Sequence, residues 1–510
     1  MVYVRRNVWE LGGNWADPIL WYARGMKAMR DLALDQPTGW GFYGAIHGID
    51  AGLWQQLGVA TTPMPGSGPV GLYWNQCQHG SWYFLPWHRG YLIAFEQVIR
   101  AAVVALNGPS DWALPYWNYF KPNQNQLPPA FASANWPDGN GDNPLYIPQR
   151  YGPKNDGNVY IPMNMVNEKA LNDHLFIGAA TGASPGFGGV QTGFSHQHGP
   201  HGGIESQPHD QVHVLVGGSN PNGGLPGLMS DPDTAGLDPI FWLHHANIDR
   251  LWEVWLHNPT THANPTQPNW LNGPASIGQR AFAMPLPGGA SWTYTPKQMG
   301  DLSHLDYKYD DVSAPAPAPG LGARLQRLGA TPAVAMAAEG AAMAQTQTPE
   351  NVELLGANQG ALPLVGAEAR TSVAVNPTVR AKVAASLTAT REAAAPDRVF
   401  LNLENVRGLN DATIFNVYVN APEGEDPAQH PENLAGSVAL FGVRKASRPD
   451  TEHAGDGLTF VLEITDIIDA LHLQDTLRSD RLDIRLVPLN PVPESAQISI
   501  GRVSVFRQGR

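Results

Sequence analysis

Apolar residues recur at helical spacing in four places within the first 311 residues. One segment runs from about Ile19 to Leu34 and stops near Pro37. A second runs from about Pro86 to Leu106, with Leu92, Phe95, Ile99, Ala102 and Leu106 on one face. A third is short and carries His209 and His213. The fourth is the best marked. Asp238 is placed to cap it, Pro239 fits its first position, and Phe241, His245, Ile248 and Trp252 share one face. Together they predict an antiparallel four-helix bundle wrapped in long loops. Beyond about residue 396 the period changes to strict alternation in VFLNLENV, IFNVYVN, SVALFGV, LTFVLEIT, LDIRLVPL and QISIGRVSVF. That pattern predicts an all-β, sandwich-like domain. Between them, residues 312–395 open with APAPAPG and are rich in Ala, Pro and Gly. They read as a linker or lid segment, although Thr331 to Ala344 could form a helix if it docks on something. The expected division is therefore 1–311 mainly α, 312–395 linker or lid, and 396–510 β.

Composition narrows the partners more than the fold. A chain of 510 residues has room for roughly three domains, and 43% hydrophobic residues can build real cores. Forty-five acidic residues against 32 basic ones give a net charge of -13, with no basic stripe for nucleic acid or anionic lipid. Neither nucleic acid nor membrane is an expected partner. The single cysteine, Cys77, excludes an intramolecular disulfide. The N-terminus, MVYVRRNVWELGGNW, has basic residues with no apolar run behind them, so a cytoplasmic protein is expected, with export on a partner left open. Homo-oligomerisation is left open too.

The histidines change the picture. Six stand out by spacing: His47, His79 and His88, then His209, His213 and His245. His209 and His213, at i and i+4, project from one helical face. Imidazole suits copper, and two sets of three from a helix core could hold a metal pair. No Glu-x-x-His accompanies them, which argues against iron or manganese. Zinc on His209 and His213 is the competing reading, and any lone histidine could equally be a satisfied core residue. His196, His198 and His201 lie in a Gly-rich stretch and read as a solvated loop with adventitious metal binding.

Two longer motifs surround these histidines. Trp82-Tyr83-Phe84-Leu85-Pro86-Trp87-His88-Arg89-Gly90-Tyr91-Leu92 and GLDPIFWLHHANIDRLWEVW, Gly236 to Trp255, closely resemble the copper-binding signatures of the tyrosinase, catechol oxidase and hemocyanin family. The resemblance runs from about Arg5 to Tyr309, and the C-terminal region more weakly resembles the β-domain of plant polyphenol oxidases. It implies two coppers, one on His47, His79 and His88, the other on His209, His213 and His245. His244 would be a neighbour, turned about 100° away on the helix. The activity implied is a dicopper oxidation of phenols by dioxygen: hydroxylation of monophenols, oxidation of o-diphenols to o-quinones, or both. A catechol or o-aminophenol oxidase without monophenol hydroxylation is the near alternative, and an oxygen carrier the distant one. The partners are small phenolic substrates.

The resemblance also assigns supporting roles. Cys77, two residues before His79, would form a thioether with that ring. Glu205 would hold a water near the second copper, and Asp210 stands where strong monophenolases often have Asn. A carboxylate beside two cations is expected to be ionised and able to accept a proton. In LPYWNY, Asn118 replaces the usual Asp. Tyr307-Lys308-Tyr309 would close the catalytic domain against Arg5 or Arg6, and the region after it would cover the copper cleft. Which residue fills the cleft is not legible at this stage.

Overall fold

The computed structural model describes residues 2–509 except 140, 196–198, 223, 258–261, 316–319, 337–350, 390–395, 450–454 and 478. His196 and His198 therefore lie outside the described residues. The expected helices are present at Asp17–Arg30, Phe84–Ala105, Gln211–Gly217 and Pro239–Leu256. The first ends four residues short of Leu34, and its final turn carries Lys27 and Arg30 at the negative end of the helix dipole. The Asp238 side chain accepts from Ile240 N at 3.0 Å, and Pro239 occupies the first turn. Arg150 holds the same cap from outside, 2.6 Å from Asp238 Oδ1. A further helix, Trp40–His47, was not anticipated; its apolar residues are continuous rather than periodic, so it presents no amphipathic signal.

A buried ion cluster closes this domain. Arg5 lies on a strand, Tyr3–Arg5, paired in parallel with Tyr307–Tyr309. Its guanidinium meets Glu96 at 2.6 Å, Asp249 at 3.3 Å and Tyr309 Oη at 3.0 Å, and stacks over the Tyr307 ring. Arg5, not Arg6, is thus the arginine that meets the Tyr-x-Tyr segment. Arg89 joins the cluster from the Phe84–Ala105 helix through Asp249 and Glu253.

The C-terminal domain is all-β, as expected, and is built as one antiparallel sheet of nine strands. In spatial order its strands are 434–439, 414–419, 481–488, 369–375, 352–357, 499–508, 398–407 and 458–463, with 362–363 beside 499–508. The two end strands approach each other, so the sheet curls around a single core that includes Leu401, Val417, Ile484 and Val505. The segment 312–395 is not a linker throughout. Val352–Ala357 and Ala369–Val375 are interior strands, and Pro377–Thr388 is a helix capped by Asn376. Six or seven residues of alternating pattern, VELLGA and ARTSVAV, carry too little apolar content to stand out of an Ala-rich background. Leu321–Arg327 is helical as well, and Arg324 ties it to the β-domain through Asp469 at 2.7 Å.

Candidate metal centre

Four helices deliver the histidines to one buried place. His47 ends Trp40–His47, and His88 lies in the first turns of Phe84–Ala105. His209 lies in a bent turn, Glu205–Asp210, that runs into the helix carrying His213, and His245 sits midway along Pro239–Leu256. His79 precedes Gly80, whose backbone is left-handed (φ +57°); a Cβ there would lie 2.5 Å from the carbonyl oxygen of Gly199. Only glycine fits both the turn and that approach.

The ring nitrogens of His47, His79 and His88 with Cys77 Sγ form one group, and those of His209, His213, His244 and His245 another; within each group the atoms lie within 4.8 Å of one another. All eight residues are buried. The groups face each other, with the His88 and His245 rings stacked at 4.3 Å and His209 and His79 at 5.5 Å. His213 Nε2 and His245 Nε2 are 3.2 Å apart.

Hydrogen bonds fix most of the tautomers. His47 Nδ1 donates to the Pro232 carbonyl at 2.7 Å, His88 Nδ1 to Phe84 at 2.8 Å, and His213 Nδ1 to Met229 at 2.8 Å. His209 Nδ1 donates to Asp210 Oδ1 at 2.8 Å. Each of these rings therefore turns a lone pair on Nε2 toward its group. Burial pushes His47 down to about 3 and the other five well below the usual histidine range, so all six are neutral at physiological pH. Among the described residues, His209 Nε2, His244 Nε2 and His245 Nδ1 of these groups have no hydrogen-bond partner. Neutral, buried imidazoles with unsatisfied nitrogens are costly unless something binds them, and a late first-row metal does. The donor set fits two copper ions.

His244 is closer to the centre than expected, since one of its ring nitrogens belongs to the second group. Its Nδ1 lies 3.4 Å from Tyr119 Oη, and its ring packs on His209 and His213. His245 instead contacts rings of both groups, including His47.

Cys77 Sγ lies 3.4 Å from both ring nitrogens of His79 and 3.0 Å from His47 Nε2. Glu205 accepts from Gly80 N at 2.9 Å. Burial pushes its carboxyl up to about 8 against the pull of His201, so the ionised state expected from sequence needs the further pull of bound cations. Burial also raises Asp210.

His201 overturns its solvated-loop reading. It is 3% exposed, and its Nδ1 is 2.6 Å from Asp210 Oδ2 and 3.8 Å from Glu205 Oε1. Burial lowers its pKa, but the two carboxylates outweigh that and raise it to about 9. A Gly-rich sequence hides this because the side chains that cover the ring, His79 and Phe460, are brought to it by tertiary folding.

Sequence reasoning also missed what the β-domain contributes. Phe441 stacks on His213 at 4.2 Å and meets His79 and His209 edge-on at 5.4 and 5.6 Å. Three residues later, Arg444 reaches Asp50 at 2.8 Å, Asp231 at 2.6 Å and Asp233 at 3.3 Å, while Lys445 meets Asp233 at 2.7 Å. A lone Phe in SVALFGV gives no signal of such a role.

The family model for the common central domain of tyrosinase matches residues 37–258, and a domain of unknown function matches 351–508. A tyrosinase of Hahella sp., HcTyr1, is 33% identical across 99% of both chains. A latent polyphenol oxidase of Prunus armeniaca is 29% identical over 49% of this chain and 40% of its own. Among solved structures, latent apple tyrosinase superposes with a TM-score of 0.59 at 20% identity, covering 100% of this chain and 97% of that one. Latent aurone synthase gives 0.56 at 17%, covering 99% and 89%. At these identities the structural likeness speaks for the fold, including the helical core with its C-terminal β-domain.

Proposed function

Since the chain belongs to the tyrosinase family of oxidoreductases, we propose that it oxidises phenols with dioxygen at a dicopper centre, and that its β-domain holds that centre closed. The observation that carries this reading is the pair of facing imidazole groups, buried and neutral. His47, His79 and His88 would hold one copper, and His209, His213 and His245 the other. Copper, when bound, supplies the redox chemistry with dioxygen as co-substrate.

The chain's own residues bind, orient and deprotonate. Phe84, 4.6 Å from the His88 ring and 4.7 Å from His209, walls the site with apolar surface and excludes water. A phenol ring fits where Phe441 lies, flat against His213. Glu205 accepts the phenolic proton at Oε2, the oxygen held less tightly by Gly80 N, at 3.2 Å. Asp210 keeps the ring of His209 oriented while that proton moves. Cys77 Sγ, equidistant from the two nitrogens that flank Cε1 of His79, is placed for a thioether to that carbon, formed with loss of the S–H and Cε1–H hydrogens and of two electrons to dioxygen.

Phe441 closes the cleft, and the Arg444–Lys445 turn anchors it. Oxygen uptake by copper-loaded protein, on monophenols and the matching o-diphenols, tests both parts. Uptake that rises after cleavage between residues 312 and 320 supports a closed resting form, and full activity unchanged by cleavage overturns closure. A protein with two coppers and no turnover on any phenol overturns the oxidase. Catechol oxidation without monophenol hydroxylation selects the diphenol oxidase.

A further inference from the structure

We propose that His201 is a positioning residue for the second copper site, acting through Asp210 on His209; this rests on the dicopper reading above. His47, His88 and His213 each donate Nδ1–H to a backbone carbonyl. Such acceptors are placed by the fold itself. His209 donates instead to a side chain, Asp210 Oδ1. A carboxylate on two rotatable bonds orients a ring only as well as it is itself held.

His201 does the holding. Its Nδ1–H donates to the other oxygen, Asp210 Oδ2, at 2.6 Å, so the two histidines grip one carboxylate from opposite sides. Packing confines His201 on several sides. It lies on a loop whose Gly199 packs against Gly80; a Cβ on Gly199 would come within 2.6 Å of the Gly80 carbonyl oxygen. Gly203 N donates to the Gly186 carbonyl at 2.8 Å on the other side. Its ring is walled by His79 at 6.3 Å and by Phe460 of the β-domain at 6.2 Å. The second carboxylate of the site, Glu205 Oε1, lies 3.8 Å from the same Nδ1. One imidazole thus holds Asp210 by a hydrogen bond and lies within ion-pair distance of Glu205.

Two variants separate positioning from packing. His201→Phe keeps a ring of similar outline and removes the donor. His201→Asn keeps a donor near the place of Nδ1. The full chain is loaded with copper, and the release of each copper to a chelator is followed, with copper counted by elemental analysis and folding checked by thermal melting. In His201→Phe one of the two coppers is expected to leave about 10-fold or more faster, the lower bound for loss of an outer hydrogen bond to a ligand. The other should leave at the wild-type rate. His201→Asn should recover most of the difference. If His201→Phe releases both coppers at wild-type rates, or if His201→Asn is as impaired as His201→Phe, His201 only fills space and the proposal is overturned. If the wild-type chain takes up no copper, the dicopper reading fails first, which is a separate result. A fall in melting temperature with uniform loss of both coppers also counts against positioning.

Discussion

The two histidine groups face each other across one helix core but are held by different means. In the first, His47 and His88 are tied to main-chain carbonyls, and Cys77 lies among all three rings. In the second, among the described residues, His213 and its neighbour His244 have main-chain acceptors, but His209 hangs from the Asp210 side chain and His245 Nδ1 has no hydrogen-bond partner. Two of the first group's three rings are set by backbone geometry. The second depends on side chains, each able to rotate, and Phe441 of the β-domain leans most on its His213. Fixed acceptors make a site that a single substitution nearby barely moves. Side-chain acceptors make one that can be tuned by its surroundings, and the carboxylates Glu205 and Asp210 are on that side.

The comparison breaks most sharply at the ligands. His88→Ala or His245→Ala leaves two imidazoles in a site that needs three. Turnover should fall to background, beyond the ~10–100-fold that loss of a supporting hydrogen bond costs. His244→Ala should cost far less if His209, His213 and His245 are the three ligands proposed above. Copper analysis of the three variants decides it: if His244→Ala loses a copper and His245→Ala does not, the second group has been assigned wrongly.

The next effect is on closure. Arg444→Glu sets a carboxylate among Asp50, Asp231, Asp233 and Asp411, and truncating such a buried charge partner at an interface costs about 2–5 kcal/mol. Turnover on small phenols should rise several-fold without proteolysis. Acid should act in the same sense. Burial would raise Asp50 and Asp233, but Arg448 and Arg444 beside the first, and Lys445 and Arg444 beside the second, hold both below the usual carboxylate range. Their contribution to docking is complete above about pH 4 and is lost as pH falls toward their lowered values. Asp411 works against this: burial, with Asp231 beside it, raises its pKa, so its contribution is present in acid and lost as pH rises through that value. Below about pH 4 Asp411 is protonated docked or undocked, so only the two lowered groups still titrate and docking weakens as pH falls further. A brief acid pulse, then assay at neutral pH, should raise the rate in wild type and change Arg444→Glu little. An equal rise in both would place the pH sensor elsewhere.

What the sequence disclosed follows from how each feature is encoded. The ligand helices were legible because a cap, a proline and a 3.6-residue period act locally, as at Asp238, Pro239 and Phe241–Trp252. Trp40–His47 was not, because it is buried on all sides and has no polar face to set a period. Strands 352–357 and 369–375 were lost in Ala-rich sequence; they owe their place to neighbours more than a hundred residues away, such as 481–488 and 499–508. His201, Phe441 and Arg444 were illegible for the same reason. Each acts through partners brought near by tertiary folding, which no local pattern records.

A smaller effect is expected at the carboxylates of the second group. Glu205→Gln keeps the shape and the bond from Gly80 N but removes the base. A monophenol must lose its proton before it can react, and a catechol, being more acidic, needs less help. The variant should therefore lose monophenol turnover by ~10-fold more than diphenol turnover, with copper content unchanged. Equal losses on paired substrates would make Glu205 a structural anchor for Gly80.

The smallest effect sharpens the first group. If Cys77 is bonded to His79, the peptide containing both should weigh two hydrogens less than its sequence, and Cys77→Ser should restore the full mass. The bond would add rigidity to a ring already boxed in by the first group and by Glu205–Gly80. Its loss should thus speed copper release from that group by no more than about 10-fold, the low end for supporting contacts. Burial pushes the Cys77 thiol well above its usual range, so a free cysteine here would be protonated and a weak ligand. An unmodified peptide mass, with Cys77→Ser indistinguishable from wild type in copper release, would leave the first group held by the main-chain bonds of His47 and His88 and by the Glu205–Gly80 contact beside His79. The contrast with the second group would stand, because two of the first group's three rings would still be set by carbonyls that cannot rotate.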